Sequence, residues 1–400
     1  MRFVKEQRQI LVITTSFPVN RYPASGVFVE RLIRALSEYY RLTVITPCDD
    51  SASIKNSDAP YLLSCFLYAP RSWRVLAHVP GGIIAAIRRN PFFLLLVPGL
   101  MLSMLLACFL RAKGKQLLFA NWSFCGLVSG LVGRLRGIPV VTTLRGSDVN
   151  LVKQSLVNGW LLGMAIALSH RTVTVSAALS KVLSERYPRF SGRIRIIPNG
   201  IDENLLFLNR LPPRFGIKLR LVFIGNLIPL KGVDTILRAL ACLPADITLK
   251  VVGEGVQGKA LEAFCASSGI NARVSFTGAL PPETIPMILQ ESDVLVSASY
   301  SEGRPNVVLE GLAAGLAVVA TQIEGTSELV IDGQTGLLFP PGDADALRAC
   351  IERLYWDPVL CRRLGESGRE WIKEQGLLWQ NTAAAYARVF EEVIAENPGR

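Results

Sequence analysis

Runs of consecutive apolar residues alternate with runs of helical spacing along the first 200 residues. ILVITTSF (10–17) predicts a buried strand, VFVERLIRALSEYY (27–40) a helix, and RLTVITP (41–47) the next strand. Strand, helix and strand in this order form a βαβ unit with parallel strands. The alternation then continues with strands at 116–120, 138–144, 171–176 and 193–200 and a helix through 126–137.

A second series of the same kind follows LLFLNRLPPRFGIKLR (205–220), which has a Pro-Pro pair and no clear period. Its strands are predicted at 219–226, 247–253, 273–278, 294–299 and 317–321. Because 400 residues exceed one ordinary core, we predict an α/β protein with two Rossmann-like, doubly wound parallel-sheet domains. These are an N-terminal domain over 1–205, a linker over 206–220 and a C-terminal domain over 221–400, whose last helix packs back on the N-terminal domain. Ligands of such folds bind at the carboxyl ends of the strands, which here predicts a cleft between the domains.

The stretch FFLLLVPGLMLSMLLACFL (92–110) carries no charge and approaches the length of a membrane span. A buried core helix is a second interpretation. Pro98-Gly99 interrupts the stretch, and it lies inside the first βαβ series, where a span would split the sheet. Basic residues flank both ends, so we favour a third interpretation, an element lying in the interface of an anionic membrane.

Charge is unevenly distributed over the chain. Residues 1–220 hold 29 Lys/Arg and 10 Asp/Glu, whereas residues 221–400 hold 14 and 22. The first half would therefore meet an anionic surface. No zinc-finger, RNP-type or helix-turn-helix pattern supports nucleic acid as that partner. The eight cysteines show no metal-ligand spacing and are expected to be free thiols of a reducing cytoplasm. The two histidines, His78 and His170, are expected to be structural.

Two short motifs resemble known ligand-binding motifs, but their positions in the chain do not support that function. GEGVQG (253–258) has the spacing of a dinucleotide-binding fingerprint. However, it follows the second strand of its domain, and the next strand ends in SFTG without the acidic residue that would bind ribose. NAD is therefore not expected, although the glycines would let the backbone approach a ligand. DAD (343–345) resembles a metal-binding D-x-D, but its position before ALRACIERL favours a helix cap.

The stretch with the most candidate ligand-binding residues is SEGRPNVVLEGLAAGLAVVAT (301–321). Pro305-Asn306 is suited to a helix start, with Glu302 just ahead of the helix and Glu310 just past its first turn. The amides of 304–307 and the helix dipole would then suit a diphosphate, and the carboxylates would suit sugar hydroxyls. The alternative is a solvated helix with two surface glutamates.

FIGNLIPLKGVD (223–234) predicts a strand, a short loop and a helix opening at Lys231-Gly232. Lysine at that position is disfavoured by the helix dipole. The alternative is a surface lysine at a helix start, but the mild conflict with the dipole favours a role in neutralising a leaving diphosphate.

Together these motifs make the chain resemble the family 4 retaining glycosyltransferases of GT-B fold over nearly its whole length. The resemblance is carried by ITTSFP, SGVFVERLIRAL, LRGSD, NGID, GNL-x4-KG, GEG, FTG, SEGRPNVVLE and GQTGLLFPPGD. The N-terminal SFPVNRYPASGVFVERL is similar to enzymes that build bacterial exopolysaccharide or teichuronic-type polymers.

The resemblance implies roles for particular residues. Glu310 would hold the nucleotide ribose, Glu302 the donor sugar, and Lys231 the diphosphate. Arg145 and Asp148 would face the sugar and the acceptor, and Trp122 would contact the acceptor. The remaining donor-binding positions implied are Gly26, Asn226, Gly253, Gly255, Arg304, Pro305, Asn306 and Val307.

Two positions depart from the family pattern. Asn226 stands where the family often has Arg, and Arg145 stands where it often has His. Asn226 removes one diphosphate cation, and Arg145 is hypothesised to replace it.

The implied reaction moves a sugar from a UDP- or GDP-sugar to an acceptor hydroxyl with retention, on one face of the sugar and without a metal or other cofactor. A lipid-linked saccharide acceptor at the cytoplasmic face of the membrane would fit the basic first domain. No nucleic-acid partner is expected. The alternatives are another GT-B activity, such as nucleotide-sugar epimerisation, and a non-catalytic peripheral membrane-binding protein.

Overall fold

The computed structural model describes residues 7–19, 24–48, 59–79, 82–146, 148–149, 156–209 and 218–398. They form two compact units. The first unit runs to Pro198 and resumes at Trp379, and the second unit is Asn199–Leu378. The first unit therefore ends earlier than the predicted residue 205. The reason is that Ile201 and Leu205 pack in the core of the second unit.

The first unit contains a sheet of seven parallel strands, ordered β3-β2-β1-β4-β5-β6-β7. The strands are β1 Gln9–Ile13, β2 Arg41–Pro47, β3 Leu62–Phe66, β4 Leu117–Asn121, β5 Val140–Leu144, β6 Arg171–Thr174 and β7 Ile194–Ile196. The helices are α1 Val27–Leu36, α2 Gly82–Arg89, α3 Val97–Arg111, α4 Ser123–Arg136, α5 Leu156–Leu168 and α6 Ala177–Arg186, followed much later by the C-terminal helix Trp379–Glu396.

Alternate residues of the central strands point to opposite faces of this sheet, and helices cover both. On one face Ile10 and Val12 pack with α1 and the C-terminal helix. There Phe119 contacts Phe390, with ring centroids 5.1 Å apart. On the other face Leu11 and Ile13 pack with α3 and α4. The C-terminal helix thus belongs to the core of the first unit although it follows the second unit in sequence.

The uncharged stretch 92–110 forms a 3-10 turn, Pro91–Leu96, and then α3. Leu100, Met104 and Cys108 lie four residues apart on one face of α3 and are fully buried against the sheet. The opposite face is exposed. By length and composition alone Pro91–Arg111 qualifies as a membrane span. It lies between β3 and β4 in sequence and packs against β1, β2, β3 and α4, which makes it part of the helical layer of the first unit, because a spanning helix would have to leave that layer.

The second unit contains six parallel strands ordered β10-β9-β8-β11-β12-β13. They are β8 Arg220–Ile224, β9 Thr248–Val252, β10 Val274–Gly278, β11 Val294–Ser297, β12 Ala317–Thr321 and β13 Leu337–Phe339. The helices are α7 Val233–Ala241, α8 Gly258–Ser267, α9 Ile285–Gln290, α10 Asn306–Ala313, α11 Glu324–Ser327, α12 Ala344–Trp356 and α13 Pro358–Glu374, which makes the C-terminal helix α14. The prediction of two doubly wound parallel sheets is confirmed. Of the predicted linker, 210–217 lie outside the described residues.

The structure explains the GEGVQG glycines without a dinucleotide. A Cβ on Gly253 would lie 1.9 Å from the carbonyl oxygen of Gly225, and one on Gly255 would lie 2.3 Å from that of Leu227. The two loops are joined by hydrogen bonds from the Gly225 amide to Val252 O (2.9 Å) and from the Leu227 amide to Glu254 O (2.9 Å). These glycines therefore let the loop after β9 pack against the loop after β8.

Gly253→Ala is expected to destabilise the protein by about 3 kcal/mol, because the new methyl clashes with backbone and the φ of 138° disfavours any L side chain. The matched control is Gly258→Ala, where the nearest atom to an added Cβ is 3.7 Å away. Alanine there should be neutral or slightly stabilising at the start of α8. Denaturant unfolding of both variants measures the difference. Equal free energies of unfolding would contradict the packing role.

The other ambiguous motifs also have structural explanations. Asp343 caps α12 by accepting the Ala346 amide at 2.9 Å, as predicted for DAD. Nδ1 of buried His78 accepts the Phe17 amide at 3.2 Å, and its Nε2 lies 2.9 Å from Pro47 O. Nδ1 of His170 accepts the Val140 amide, and burial lowers the pKa of this histidine. All eight cysteines are free thiols.

Candidate functional site

In the second unit, the polar residues predicted to contact a donor lie in loops at the carboxyl ends of β8 and β11. Lys231 ends a 3-10 turn before α7, and its Nζ lies 2.5 Å from Oε1 of Glu302. The Ser299 hydroxyl donates to the same oxygen at 2.8 Å. The Ser299 carbonyl in turn accepts from Thr321 Oγ1 at 2.7 Å. Both charged side chains are mostly buried. The carboxylate of Glu302 is thus held in one orientation by a cation and a hydroxyl.

Glu302 precedes the N-terminus of α10, as the sequence predicted. Pro305 is the N-cap, and hydrogen bonding begins with the Val308 amide, which donates to Pro305 O at 3.2 Å. The amides ahead of Val308 belong to the first turn, where backbone donors lack partners within the helix and the dipole is positive. Glu310 is half-buried, one turn after Asn306. This end of α10 suits an anionic ligand.

Two predicted donor-binding side chains are engaged within the protein. The Arg304 guanidinium is nearly buried and lies 3.5 Å from Glu328, and burial lowers its pKa. The Asn306 Oδ1 accepts from Asn199 Nδ2 at 2.8 Å. Both side chains therefore fix the loop before α10, so a donor contact at these positions would come from their backbone amides. Val307, beside them, packs on the core.

The loop after β8 holds Asn226 half-buried between Gly225 and Leu227. The Leu227 amide is bonded to Glu254 O of the neighbouring loop. The space beside Gly253 and Gly255 is occupied by backbone of this loop. These glycines therefore let the two loops approach each other closely, and their predicted contact with a donor stays a prediction.

Ser299→Ala should lower kcat about tenfold while leaving KM for the donor nearly unchanged, because loss of one hydrogen bond lets the Glu302 carboxylate rotate. Ser299→Thr keeps the hydroxyl and should restore most of the rate. Steady-state kinetics of the two variants would measure the effect. Equal losses in both would mean that packing, and not the hydroxyl, matters at this position.

In the first unit, Arg145 directly follows β5 and is buried. Its guanidinium carbon lies 4.3 Å from the centroid of the Phe28 ring and 5.8 Å from that of Trp122. Its Nη2 donates to Asn121 Oδ1 at 3.3 Å. Burial lowers the pKa of Arg145 to about 10, so the side chain remains a cation at neutral pH. A desolvated cation at the end of a parallel strand suits an anionic or strongly polar ligand.

Asp148, predicted to face sugar and acceptor, has both carboxylate oxygens bonded within the protein. Oδ1 accepts from the amide (2.9 Å) and hydroxyl (2.7 Å) of Ser123, and Oδ2 accepts from the Arg145 amide (3.0 Å). Burial raises the pKa of Asp148, and the bonds from Ser123 oppose that shift. Asp148 thus joins the start of α4 to the turn that carries Arg145.

Trp122 and Gly26 both have a positive φ and directly precede helices of the first unit. Trp122 has φ 70°, precedes α4 and packs edge-on against Phe28 with centroids 6.1 Å apart. Such a φ costs a bulky residue about 1–3 kcal/mol and is typical of functional positions. Gly26 has φ 65°, and a Cβ there would lie 2.3 Å from Ser16 O. Its carbonyl starts α1 by accepting the Val29 amide.

Sequence reasoning missed the residues that hold the predicted ones in place. These are Ser299 beside Glu302, Asn199 beside Asn306, and Phe28 and Asn121 around Arg145. Asn199, in the quoted NGID motif, and Phe28, in the quoted SGVFVERLIRAL, carried a signal that could have been used. Among the described residues, no group of three or more His, Cys, Asp and Glu side chains is arranged to hold a metal ion.

Comparison with protein families gives two adjacent matches. Residues 25–205 match the model described as Glycosyltransferase Family 4, and residues 212–371 match that described as Glycosyl transferases group 1. An uncharacterized glycosyltransferase of Methanocaldococcus jannaschii is 28% identical over 71% of this chain and 77% of its own length. The MMP alpha-(1->4)-mannosyltransferase of Mycolicibacterium hassiacum is 31% identical over 56% of this chain and 54% of its own length.

Solved structures of similar fold cover almost the whole chain. Sucrose-phosphate synthase from Thermosynechococcus elongatus superposes with a TM-score of 0.79 at 21% identity, covering 98% of this chain and 100% of that one. Anabaena HepE in complex with UDP-glucose superposes with a TM-score of 0.76 at 19% identity, covering 96% and 99%.

Proposed function

The chain belongs to glycosyltransferase family 4, of GT-B fold, and we propose on this basis that it transfers a sugar from a nucleoside-diphosphate sugar to an acceptor hydroxyl. The anomeric configuration would be retained. The observation that carries the proposal is the grouping of Lys231, Ser299 and Glu302 at the carboxyl ends of the second-unit strands, ahead of the N-terminus of α10.

In the proposed site, different residues would contact the diphosphate, the sugar and the ribose of the donor. Lys231 and the first amides of α10 would stabilise the negative charge that grows on the diphosphate as the bond to the sugar breaks. Glu302, oriented by Ser299, would accept hydrogen bonds from sugar hydroxyls. Glu310, one turn into α10, would accept them from the ribose. UDP-glucose in the Anabaena structure of the same fold supports a UDP-sugar as the first donor to try, with GDP-sugars next.

Arg145 is the candidate for the second cation of the reaction. Asn226 adds no charge to the donor loop, and Arg145 is a buried cation held against Phe28. It would contribute positive charge to the reaction as the leaving group departs. Trp122, beside it, would contact the acceptor sugar through its ring. Because Asp148 is bonded within the protein, it would act by holding the Arg145 turn.

The proposal includes a mechanism without a resident metal ion. Positive charge would come from Lys231, Arg145 and the helix dipole, and a phosphate oxygen of the leaving group would assist deprotonation of the acceptor on the same face of the sugar. Addition of EDTA should then leave the initial rate of transfer within about twofold of the untreated enzyme. A loss that added Mg²⁺ or Mn²⁺ restores would contradict this part of the proposal.

We further propose that the acceptor is a lipid-linked saccharide and that the protein works as a peripheral enzyme at the cytoplasmic face of the membrane, in the synthesis of a cell-surface polysaccharide. The support is the excess of basic residues in 1–220 together with the exposed apolar face of α3. Such a surface matches anionic phospholipids.

The test is product analysis with a panel of UDP- and GDP-sugars. The expected result is release of nucleoside diphosphate and a glycosidic product whose anomeric proton has the configuration of the donor, as measured by NMR. Inversion would refute the retaining mechanism. Return of an epimerised nucleotide sugar, without transfer, would favour the epimerase alternative, and no turnover of any donor would favour a non-catalytic membrane-binding protein.

A further inference from the structure

The outer surface of α3 is apolar along its whole length. The turn before α3 and the helix itself expose Phe92, Leu95, Leu102, Leu106 and Leu110, each between 56% and 78% accessible. At about 100° per residue, Leu102, Leu106 and Leu110 lie opposite the buried Leu100, Met104 and Cys108. The helix therefore has two apolar faces, of which the sheet covers one.

A second helix of the same layer shows the same property. α5 buries Leu162 and Ile166 and exposes Val157, Trp160 and Leu161 on its other side. α3 and α5 both pack on α4, where Met101 of α3 and Met164 of α5 contact one small apolar cluster. The exposed residues of α3, α5 and the turn before α3 are called the apolar face. They are Phe92, Leu95, Leu102, Leu106, Leu110, Val157, Trp160 and Leu161.

The charged residues in the sequence around α3 have one sign. From residue 59 to residue 147 the sequence contains ten Lys/Arg and no Asp or Glu. Exposed members of this set include Arg88 and Arg89 before α3 and Arg111 and Lys113 after it. Arg134, at the end of α4, is also exposed. Near that end the Arg136 guanidinium also lies 3.8 Å over the Phe109 ring.

We propose that the apolar face docks on an anionic phospholipid bilayer, with α3 and α5 side by side in the interface. Exposed leucines would enter the acyl boundary, Trp160 would sit at the level of the headgroups, and the arginines and lysines would contact lipid phosphates. Basic residues at both ends of α3 require the helix to lie parallel to the membrane plane, because a perpendicular helix would bury one cluster. The inference rests on the proposed function, which places the protein at a membrane, and it names the residues that would make the contact.

The full chain should cosediment with phosphatidylcholine vesicles that contain phosphatidylglycerol, and at least tenfold less with phosphatidylcholine alone. Added salt should weaken the binding. L102D/L106D should lower the affinity at least a hundredfold, whereas the control V256D/V359D, at exposed valines of the second unit, should bind like wild type. R111E/K113E should remove most of the preference for anionic vesicles. Equal binding by wild type and L102D/L106D would overturn the proposal.

Trp160 provides a readout that does not depend on how a charged variant folds. Its fluorescence should shift to the blue when anionic vesicles are added, and Trp160→Phe should lose most of the shift while still sedimenting. No shift in a protein that sediments would overturn the placement of α5 in the interface. A wild-type dimer in light scattering that L102D/L106D converts to a monomer, without vesicle binding, would assign the apolar face to a second copy of the chain.

Failure of membrane docking and failure of the proposed enzymatic function are distinguishable. L102D/L106D should still show the nucleotide-induced rise in unfolding temperature and should still turn over a water-soluble acceptor. Loss of vesicle binding with retained turnover supports the docking surface. If the wild-type protein binds vesicles but turns over no donor, the docking surface is supported and the enzymatic proposal is refuted.

Discussion

Replacement of Glu302 by glutamine is expected to lower kcat/KM by about a hundredfold to a thousandfold, while affinity for the free nucleoside diphosphate stays within about threefold of wild type. The glutamine keeps the size of the side chain but loses the negative charge opposite Lys231. It also halves the acceptor capacity offered to sugar hydroxyls. Because these contacts involve the sugar and not the nucleotide, the loss should appear in turnover of the complete donor.

The chain offers a matched control for this substitution. Lys250 and Glu291 form another Lys–Glu ion pair of the second unit, with a distance of 2.9 Å and greater exposure. Exposed pairs contribute little to stability, so Glu291→Gln should leave both unfolding and turnover unchanged. Initial-rate kinetics and thermal unfolding of the two variants give the comparison. Near-normal turnover by Glu302→Gln would remove this carboxylate from the mechanism.

Arg145→Ala should reduce turnover by a similar factor, and Arg145→Lys should recover little of it. The guanidinium is held by the Phe28 ring and by Asn121, and a lysine can reproduce neither the planar stacking nor the fixed direction of the donors. In the proposed mechanism this cation stabilises developing negative charge, so its loss should act mainly on kcat. The measurement is kcat and KM for each variant with the nucleotide sugar that the wild type accepts.

Arg193→Ala is the control for Arg145, since its guanidinium also lies over an aromatic ring, that of Phe190 at 5.8 Å, in the first unit. It should show normal turnover. Thermal unfolding of Arg145→Ala separates a catalytic loss from a folding defect. A stable Arg145→Ala protein with normal kcat would refute the role of Arg145 as a second cation.

The elements that were predicted correctly are those whose hydrophobic pattern is complete. β1, β2 and β8 are continuous apolar runs that the sheet buries on both faces, so each could be identified from the sequence alone. β3 was missed because it lies at the edge of its sheet and only Phe66 among its five residues is buried. β13 was missed because three residues in a glycine- and proline-rich stretch show no period.

Positions of the candidate donor site could be predicted where they lie in a local sequence motif. Lys231 was identified by its conflict with the helix dipole, and the structure places it against Glu302, 71 residues later. Contacts of that kind, between Ser299 and Glu302 or Asn199 and Asn306, depend on how loops fold back after their strands. Such contacts cannot be deduced from the alternation of apolar and polar residues or from the spacing of residues along the chain.

At two positions the structure adds neighbours that the sequence, which shows only the type of a residue, does not reveal. A glycine pattern such as Gly253-x-Gly255 indicates that backbone approaches closely but does not show what it approaches, and the structure adds a close contact with the loop at Gly225–Leu227. An aspartate shortly after a strand, such as Asp148, indicates that carboxylate oxygens lie near the end of that strand. Its three hydrogen bonds from the protein became evident only in three dimensions.

The central claim is that the second unit binds a nucleoside diphosphate through Lys231 and the start of α10. Thermal unfolding of wild type and Lys231→Ala with UDP, GDP, ADP and NAD tests it most directly. A ligand at a hundred times its dissociation constant adds about 2.7 kcal/mol, which corresponds to several degrees at about 2–4 °C per kcal/mol. We predict that one nucleoside diphosphate raises the midpoint of wild type, that the rise is much smaller in Lys231→Ala, and that NAD has no effect. A rise with NAD alone, or with no nucleotide over a wide concentration range, would contradict the account.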